Sequence, residues 1–328
     1  MKPFTYLRAT ETSTAIKSAT SNQTKFIAGG TNLLDLMKEG VEQPDLLVDI
    51  TRINLSQIQP TSNGVRIGAL AKNSDTANHP LIRTRYPLLS QALLAGASPQ
   101  LRNMASVGGN VMQRTRCYYF YNTSMPCNKR QLGSGCAAIE GYNRIHAILG
   151  TSDKCIATHP SDMCVALAAL DAVVQVSGAK GDRTIPFSEF HRLPGDTPQI
   201  DTVLQPGELI TAVDLPNSPF AEKSHYLKVR DRTSYAFAVV SVASALDINN
   251  GTIRNARMAL GGVAHKPWRA VAAEKILIGA KPNEQTFQAA AEETLKGAKG
   301  YKHNAFKVEL AKRAIVRSLT IATEGTAV

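Results

Sequence analysis

Along this chain the period of the hydrophobic positions changes several times, and each change predicts an element. In KFIAGGTNLLDLMKEG, Phe26 to Ala28 read as the end of a strand and Gly29 and Gly30 as a turn. Leu33, Leu34, Leu36 and Met37 then form the apolar face of a short helix that Gly40 closes. VEQPDLLVDITRI and GVRIGALAKNSD predict strands, whereas HPLIRTRYPLLSQALLAGAS predicts helical segments broken at Pro87. Ser161 reads as the N-cap of an apolar helix running through Val165, Leu167, Ala168, Leu170 and Ala172, which leads into paired strands in DAVVQVSG and GDRTIPFSEFHR. LQPGELITAVDLP is a further strand, and Pro216 to Pro219 make a linker or sharp turn. From about residue 221 the texture differs: long strands are joined at the hairpin signal NNG, and two amphipathic helices follow in QTFQAAAEETLKGA and NAFKVELAKRAIVRSLTIA. The order predicts an α+β chain with a larger N-terminal region, 1–220, and a smaller α+β C-terminal domain, 221–328.

A chain of 328 residues can bury two or three cores. No run of eighteen apolar residues occurs, and the first twenty residues lack the apolar region of a secretory signal, so neither a membrane span nor self-targeted export is expected. The net charge of +11 suits an anionic partner of several kinds. Its position narrows the choice. Between Arg102 and Cys155, Arg102, Arg114, Arg116, Lys129, Arg130, Arg144 and Lys154 stand against Glu140 and Asp153 only, so a large share of the excess surrounds one segment.

That segment also holds the cysteines. All five, Cys117, Cys127, Cys136, Cys155 and Cys164, fall between residues 117 and 164. An odd count in a large chain without a secretion signal argues against a disulfide framework. The spacing C-x9-C-x8-C-x18-C lacks the close pairs of a zinc knuckle. An iron–sulfur cluster tolerates irregular loops, provided four thiolates converge and backbone N–H groups face the sulfurs, and Gly133, Ser134 and Gly135 supply the flexible backbone. Cys164 lies in the apolar helix as a small core residue, which leaves Cys117, Cys127, Cys136 and Cys155 as the ligand set. CYYFYNTSMPCNKRQLGSGC has so few aliphatic residues that its thiols are not expected to be buried in a core.

Two glycine turns precede this loop. AGGTNLL and SVGGN each offer a nest of backbone N–H groups that would accept a phosphate, although the dinucleotide fingerprint G-x-G-x-x-G is absent. The seven histidines are scattered without ligand spacing, and His159 is expected to be structural.

AGGTNLL, SVGGN, PSD, YLKVRDRTSYAFAVVSVA and LGGVAHKPW together resemble, over nearly the whole chain, the FAD-binding medium subunits of the xanthine dehydrogenase and molybdenum hydroxylase family. CYYFYNTSMPCNKRQLGSGC and SDKCIATHPSD are similar to a narrower branch, the FAD and [4Fe-4S] subunits of bacterial periplasmic aldehyde oxidoreductases. The resemblance implies a vanillyl-alcohol-oxidase-type FAD domain with subdomains 1–58 and 59–220, an iron–sulfur loop inserted at about 112–158, and a C-terminal domain of the CO-dehydrogenase flavoprotein type. It implies that Phe26, Ile27, Ala28, Gly29, Gly30, Thr31, Asn32, Leu33 and Leu34 wrap the FAD pyrophosphate, completed by Ser106, Gly108, Gly109 and Asn110. Asp162 would bond ribityl or ribose hydroxyls, and Lys228 would either approach the flavin or pair with a carboxylate. Substrate oxidation would belong to a large molybdenum-pterin subunit. Electrons would arrive through a small [2Fe-2S] subunit and leave to an external acceptor, in a heterotrimer exported to the periplasm by a partner's signal. No catalytic acid or base is expected in this chain. Neither nucleic acid nor membrane is an expected partner. The competing reading is a basic zinc protein that binds nucleic acid through the cysteine loop, with residues 118 to 121 stacking bases.

Overall fold

The computed structural model describes residues 1–19, 21 and 23–325. Three sheets carry the chain. The first is parallel, with Thr5–Arg8 (β1) and Thr24–Ile27 (β2) flanking Leu46–Asp49 (β3). Parallel neighbours need crossovers, and the helices Thr12–Ser18 and Leu33–Lys38 supply them. The second sheet is antiparallel, in the order Ile58–Thr61 (β4), Gly64–Gly68 (β5), Leu209–Pro216 (β8), Val173–Gly178 (β6) and Gly181–Pro186 (β7). The third, also antiparallel, runs Trp268–Arg269 (β12), Thr252–Gly261 (β11), Val240–Asn249 (β10) and Ser224–Val229 (β9). Between β10 and β11 the chain turns on Asn250 and Gly251, at φ 50° and 72°, the left-handed pair that a two-residue hairpin requires. The mixed architecture is the α+β class that the hydrophobic pattern predicts.

Val271–Leu277, Glu284–Thr294 and Phe306–Glu324 cover one face of the third sheet, and Leu246, Met258, Phe287, Ile315 and Leu319 lie in the core between them. The helix Asp162–Ala169 is buried at every residue, so it is apolar all round rather than amphipathic. Ser161 caps it by accepting the N–H of Cys164 at 3.1 Å. Its surroundings include Leu88 and Leu89 from Pro87–Ala95, Val174 from the second sheet and Ala243 from the third, in one continuous core.

Lys307 is fully buried on Phe306–Glu324, and its ammonium bonds only the carbonyls of His146 (2.8 Å) and Gly262. Burial, with the Arg144 charge adding to it, lowers its pKa to about 7. An unfolded lysine keeps its proton to far higher pH, so between these limits the unfolded state binds more protons and stability rises with pH. We expect the Tm deficit of Lys307→Met relative to wild type to widen from pH 7 to pH 9. A deficit that stays constant over that range would show that Lys307 remains charged in the fold.

Candidate functional site

Two glycine turns face each other across a cleft. The first follows β2, where Gly30 takes φ 72° and lets the chain swing into Leu33–Lys38. The second is held against β5 and its extension: Gly108 N–H bonds Ala69 O at 2.8 Å and Val107 N–H bonds Ala71 O at 2.9 Å. Ser106 Oγ accepts the N–H of Gly109 at 3.2 Å. The turns meet at Gly29, where any Cβ would overlap the carbonyl of Met104. Glycine there keeps two backbones in contact, rather than leaving room for a phosphate as the sequence alone suggests.

The cleft between them has a volume of about 910 Å³, ample for a dinucleotide. Phe26, Ile27, Ala28, Gly29, Gly30, Thr31, Asn32 and Leu33 line it, as do Ser106, Gly108 and Gly109. Leu34, Asn110, Asp162 and Lys228 do not. Leu34 lies beside Gly30, and the Asn110 carboxamide oxygen accepts the Ser161 hydroxyl at 2.7 Å. Asp162 and Lys228 form a buried ion pair at 2.7 Å, with the Tyr226 hydroxyl on the other carboxylate oxygen, also at 2.7 Å. Lys228 thus takes the carboxylate-pairing role, while Asp162 still lines a small cavity that shares Thr158 and His159 with the cleft.

The far wall was not legible in the sequence. It is built from Gln199 to Ile210 together with His159, His191 and His265. The histidines come from three distant segments, and scattered spacing gives no sign of their meeting. Burial pushes His191 and His265 down to about 4, and His159 well below its ordinary value, so all three are neutral at physiological pH. Several buried polar atoms of this lining have no hydrogen-bond partner among the described residues: Asn32 Nδ2, His159 Nε2, His191 Nδ1, Gln199 Oε1 and His265 Nε2. A buried donor or acceptor left unpaired is costly, so this set fits a polar ligand such as FAD, whose hydroxyls, phosphates and ring edges complement it.

Among the described residues, His159, Cys164 and His191 bring ligand atoms within 4.8 Å of one another. His191 Nε2 lies 2.9 Å from the carbonyl of Val111 and so carries the proton, while His159 Nδ1 accepts the N–H of Ser161 and leaves its proton on Nε2. A metal would need that Nε2 bare. The trio is therefore a neutral, hydrogen-bonded group and not a metal site.

The other four cysteines converge. Cys117, Cys127, Cys136 and Cys155 line one small cavity, and no disulfide joins any of them. Their burial corrects the sequence reading: Cys117, Cys127 and Cys155 are buried and Cys136 is partly exposed. The loop is short of aliphatics, but Phe120, Ala138 and Ile156 from its own length, together with Leu36 and Tyr301 from outside, enclose the sulfurs. Burial pushes Cys117 up to about 12 and, against the pull of the Lys129 ammonium, Cys155 up to about 11. Backbone N–H groups face the sulfurs, from Tyr119 and Phe120 on Cys117, from Ala138, Ile139 and Ile156 on Cys136, and from Ala157 on Cys155. His146 Nε2 lies 3.0 Å from Cys117 Sγ. No three of these thiols fall within the 4.8 Å mutual spacing that the histidine trio meets, so they stand too far apart for a single tetrahedral ion. Four thiols around one cavity, three of them buried and three faced by backbone N–H groups, fit a multinuclear iron–sulfur cluster.

Cluster cavity and cleft are lined by neighbouring residues, Ala157 in the first and Thr158 in the second, and Arg116, next to Cys117, lines the small cavity that shares Thr158 and His159 with the cleft.

Comparison with known proteins agrees with this geometry. Residues 2–218 match the family described as the FAD binding domain in molybdopterin dehydrogenase, and residues 225–322 match the CO dehydrogenase flavoprotein C-terminal domain. The chain is 51% identical over 323 residues to the aldehyde oxidoreductase FAD-binding subunit PaoB of Escherichia coli strain K12, covering 97% of this chain and 98% of that protein. It is 30% identical to the glyceraldehyde dehydrogenase medium chain of Sulfolobus acidocaldarius, covering 86% and 83%. Its fold superposes on carbon monoxide dehydrogenase from Hydrogenophaga pseudoflava with a TM-score of 0.78 at 25% identity, covering 99% of both chains. A cleft built for a dinucleotide, full-length relatives and both family matches lead to one conclusion: the chain belongs to the molybdenum hydroxylase family, as an FAD-binding medium subunit.

Proposed function

We propose that this chain is the electron-transfer subunit of a molybdenum-containing aldehyde oxidoreductase and carries a [4Fe-4S] cluster beside its FAD. The observation that carries the reading is the pair of adjoining sites: a dinucleotide cleft lined by two glycine turns and Thr158, and four cysteines around a cavity lined by the neighbouring Ala157. The 51% identity to an aldehyde oxidoreductase subunit supports the substrate class.

Bound FAD would supply chemistry in one- and two-electron steps. The chain's own residues bind and orient it. The turn at 28–32 and the Ser106–Gly109 turn would present backbone N–H groups to the pyrophosphate, and the unpaired atoms Asn32 Nδ2, Gln199 Oε1 and His159 Nε2 would take other polar atoms of the cofactor. The Asp162–Lys228 pair neutralises its own charge beside the cleft and fixes the N-terminus of the buried helix. Cys117, Cys127, Cys136 and Cys155 would hold the cluster, while the cations that the sequence crowds around it, Arg114, Arg116, Lys129, Arg144 and Lys154, pair with carboxylates from other segments. Substrate oxidation belongs to a large molybdenum-pterin subunit, and a small [2Fe-2S] subunit delivers electrons that leave to an external acceptor. The domain limits follow the sequence reading, 1–220 and 221–328, and the assembled complex is periplasmic, carried there by a partner's signal.

A cofactor assay on the purified complex tests the proposal. It should find one flavin and, beyond the iron of the [2Fe-2S] subunit, about four irons with matching acid-labile sulfide assigned to this chain. Flavin with no iron beyond that of the [2Fe-2S] subunit would overturn the cluster part of the proposal; the nucleic-acid-binding alternative finds no support in the family matches.

A further inference from the structure

We infer that Lys129 and Asp201 clamp the cysteine loop to the far wall of the flavin cleft, so that FAD retention depends on a folded cluster site. The inference rests on the cluster reading of the four thiols and names how the two sites are coupled. Lys129 lies two residues beyond Cys127 and lines the cluster cavity, and its side chain is 1% exposed. Its ammonium leaves the loop and donates to the carboxylate of Asp201 and, at 2.8 Å, to the carbonyl of Pro198. Asp201 lines the flavin cleft, whereas Lys129 does not.

Asp201 has a second cation. Arg114 Nε donates to it at 2.8 Å, while Arg114 Nη1 donates to Glu42 at 2.6 Å and its backbone N–H to Asn32 Oδ1 at 3.1 Å. The guanidinium also stacks over Phe120, 4.7 Å from the ring centroid, beside the buried thiols. One chain of charges therefore ties the phosphate turn, the far wall and the cysteine loop together. Burial opposes ionisation of Asp201, but Lys129 and Arg114 outweigh it and hold the carboxyl well below the usual range.

The far wall needs such a tie. Between Phe187–Phe190 and β8 the chain has no helix or strand, and its own bonds, the His191–Thr202 bridge with Arg192 N–H to Asp201 O at 2.9 Å and Val203 N–H to Phe190 O at 3.0 Å, close it on itself without reaching the cysteine loop. Lys129 reaches it only while the loop is folded, and four desolvated thiols with no metal to ligate give that loop little reason to close. Lost metal frees Lys129, leaves Asp201 half-paired and lets the wall at 198–202 open.

The test measures FAD release by flavin fluorescence after dilution, and iron content, in the assembled complex. Lys129→Met should keep its iron yet release FAD about tenfold faster or more, within the usual range of coupling between sites. Lys129→Arg should restore slow release, and Cys136→Ser, which loses cluster iron, should release FAD as fast as Lys129→Met. Wild-type release rates in Lys129→Met or in Cys136→Ser would overturn the clamp, and so would loss of iron from Lys129→Met. A wild-type complex without cluster iron would defeat the cluster reading instead, a result the iron assay scores separately.

Discussion

Replacing Cys117, Cys127, Cys136 or Cys155 singly with serine is expected to lower this chain's iron from about four atoms to below one, while Cys164→Ser leaves it unchanged. The contrast comes from position. Four thiols line one cavity, whereas Cys164 Sγ sits in the buried helix Asp162–Ala169, away from that cavity, with a weak contact of 3.9 Å to Asn110 O. Cys117→Ser and Cys164→Ser both bury a hydroxyl, at a cost of about 1–3 kcal/mol each if it stays unpaired, so a drop in Tm is expected in both. Iron content separates them. Iron lost from Cys164→Ser and kept in Cys155→Ser would show that the fourth ligand is misassigned.

The second large effect is at Gly29. Alanine there would press its Cβ into the backbone carbonyl of Met104, which no side-chain rotation relieves, so the two turns must part. Overpacking of this kind costs about 1–3 kcal/mol, which corresponds to FAD binding weakened by about 5- to 150-fold and protein purified largely without flavin. Gly109 is the control. A Cβ there meets only the Ser106 hydroxyl, at 2.9 Å, so Gly109→Ala should retain most of its FAD. Equal flavin content in the two variants would remove the contact between the turns as the reason for glycine at position 29.

Local signals carried the elements well. The strand, turn and helix around Gly30, the break at Pro87, the cap at Ser161 and the Asn250–Gly251 hairpin are decided by residues within a few positions of one another. The glycine turns were legible for the same reason, since glycines beside a helix start are a local pattern. The far wall was not. Gln199, Asp201 and the three histidines are gathered by contacts between distant segments, such as His159 N–H to Ala264 O and Arg192 N–H to Asp201 O, both at 2.9 Å, and such contacts leave no local trace. The cysteine loop failed differently: its composition predicts exposed thiols, but Leu36 and Tyr301, from opposite ends of the chain, help close over them. Lys228 was balanced between two roles, and only the fold brings it within 2.7 Å of Asp162.

The most direct test of the electron-transfer role is anaerobic addition of an aldehyde to the assembled complex, followed by flavin absorbance and low-temperature EPR. The account predicts that the flavin of this chain is reduced and is reoxidised when an external acceptor is added, with a four-iron cluster signal accountable to Cys117, Cys127, Cys136 and Cys155. A flavin that stays oxidised while the molybdenum subunit turns over aldehyde would contradict it.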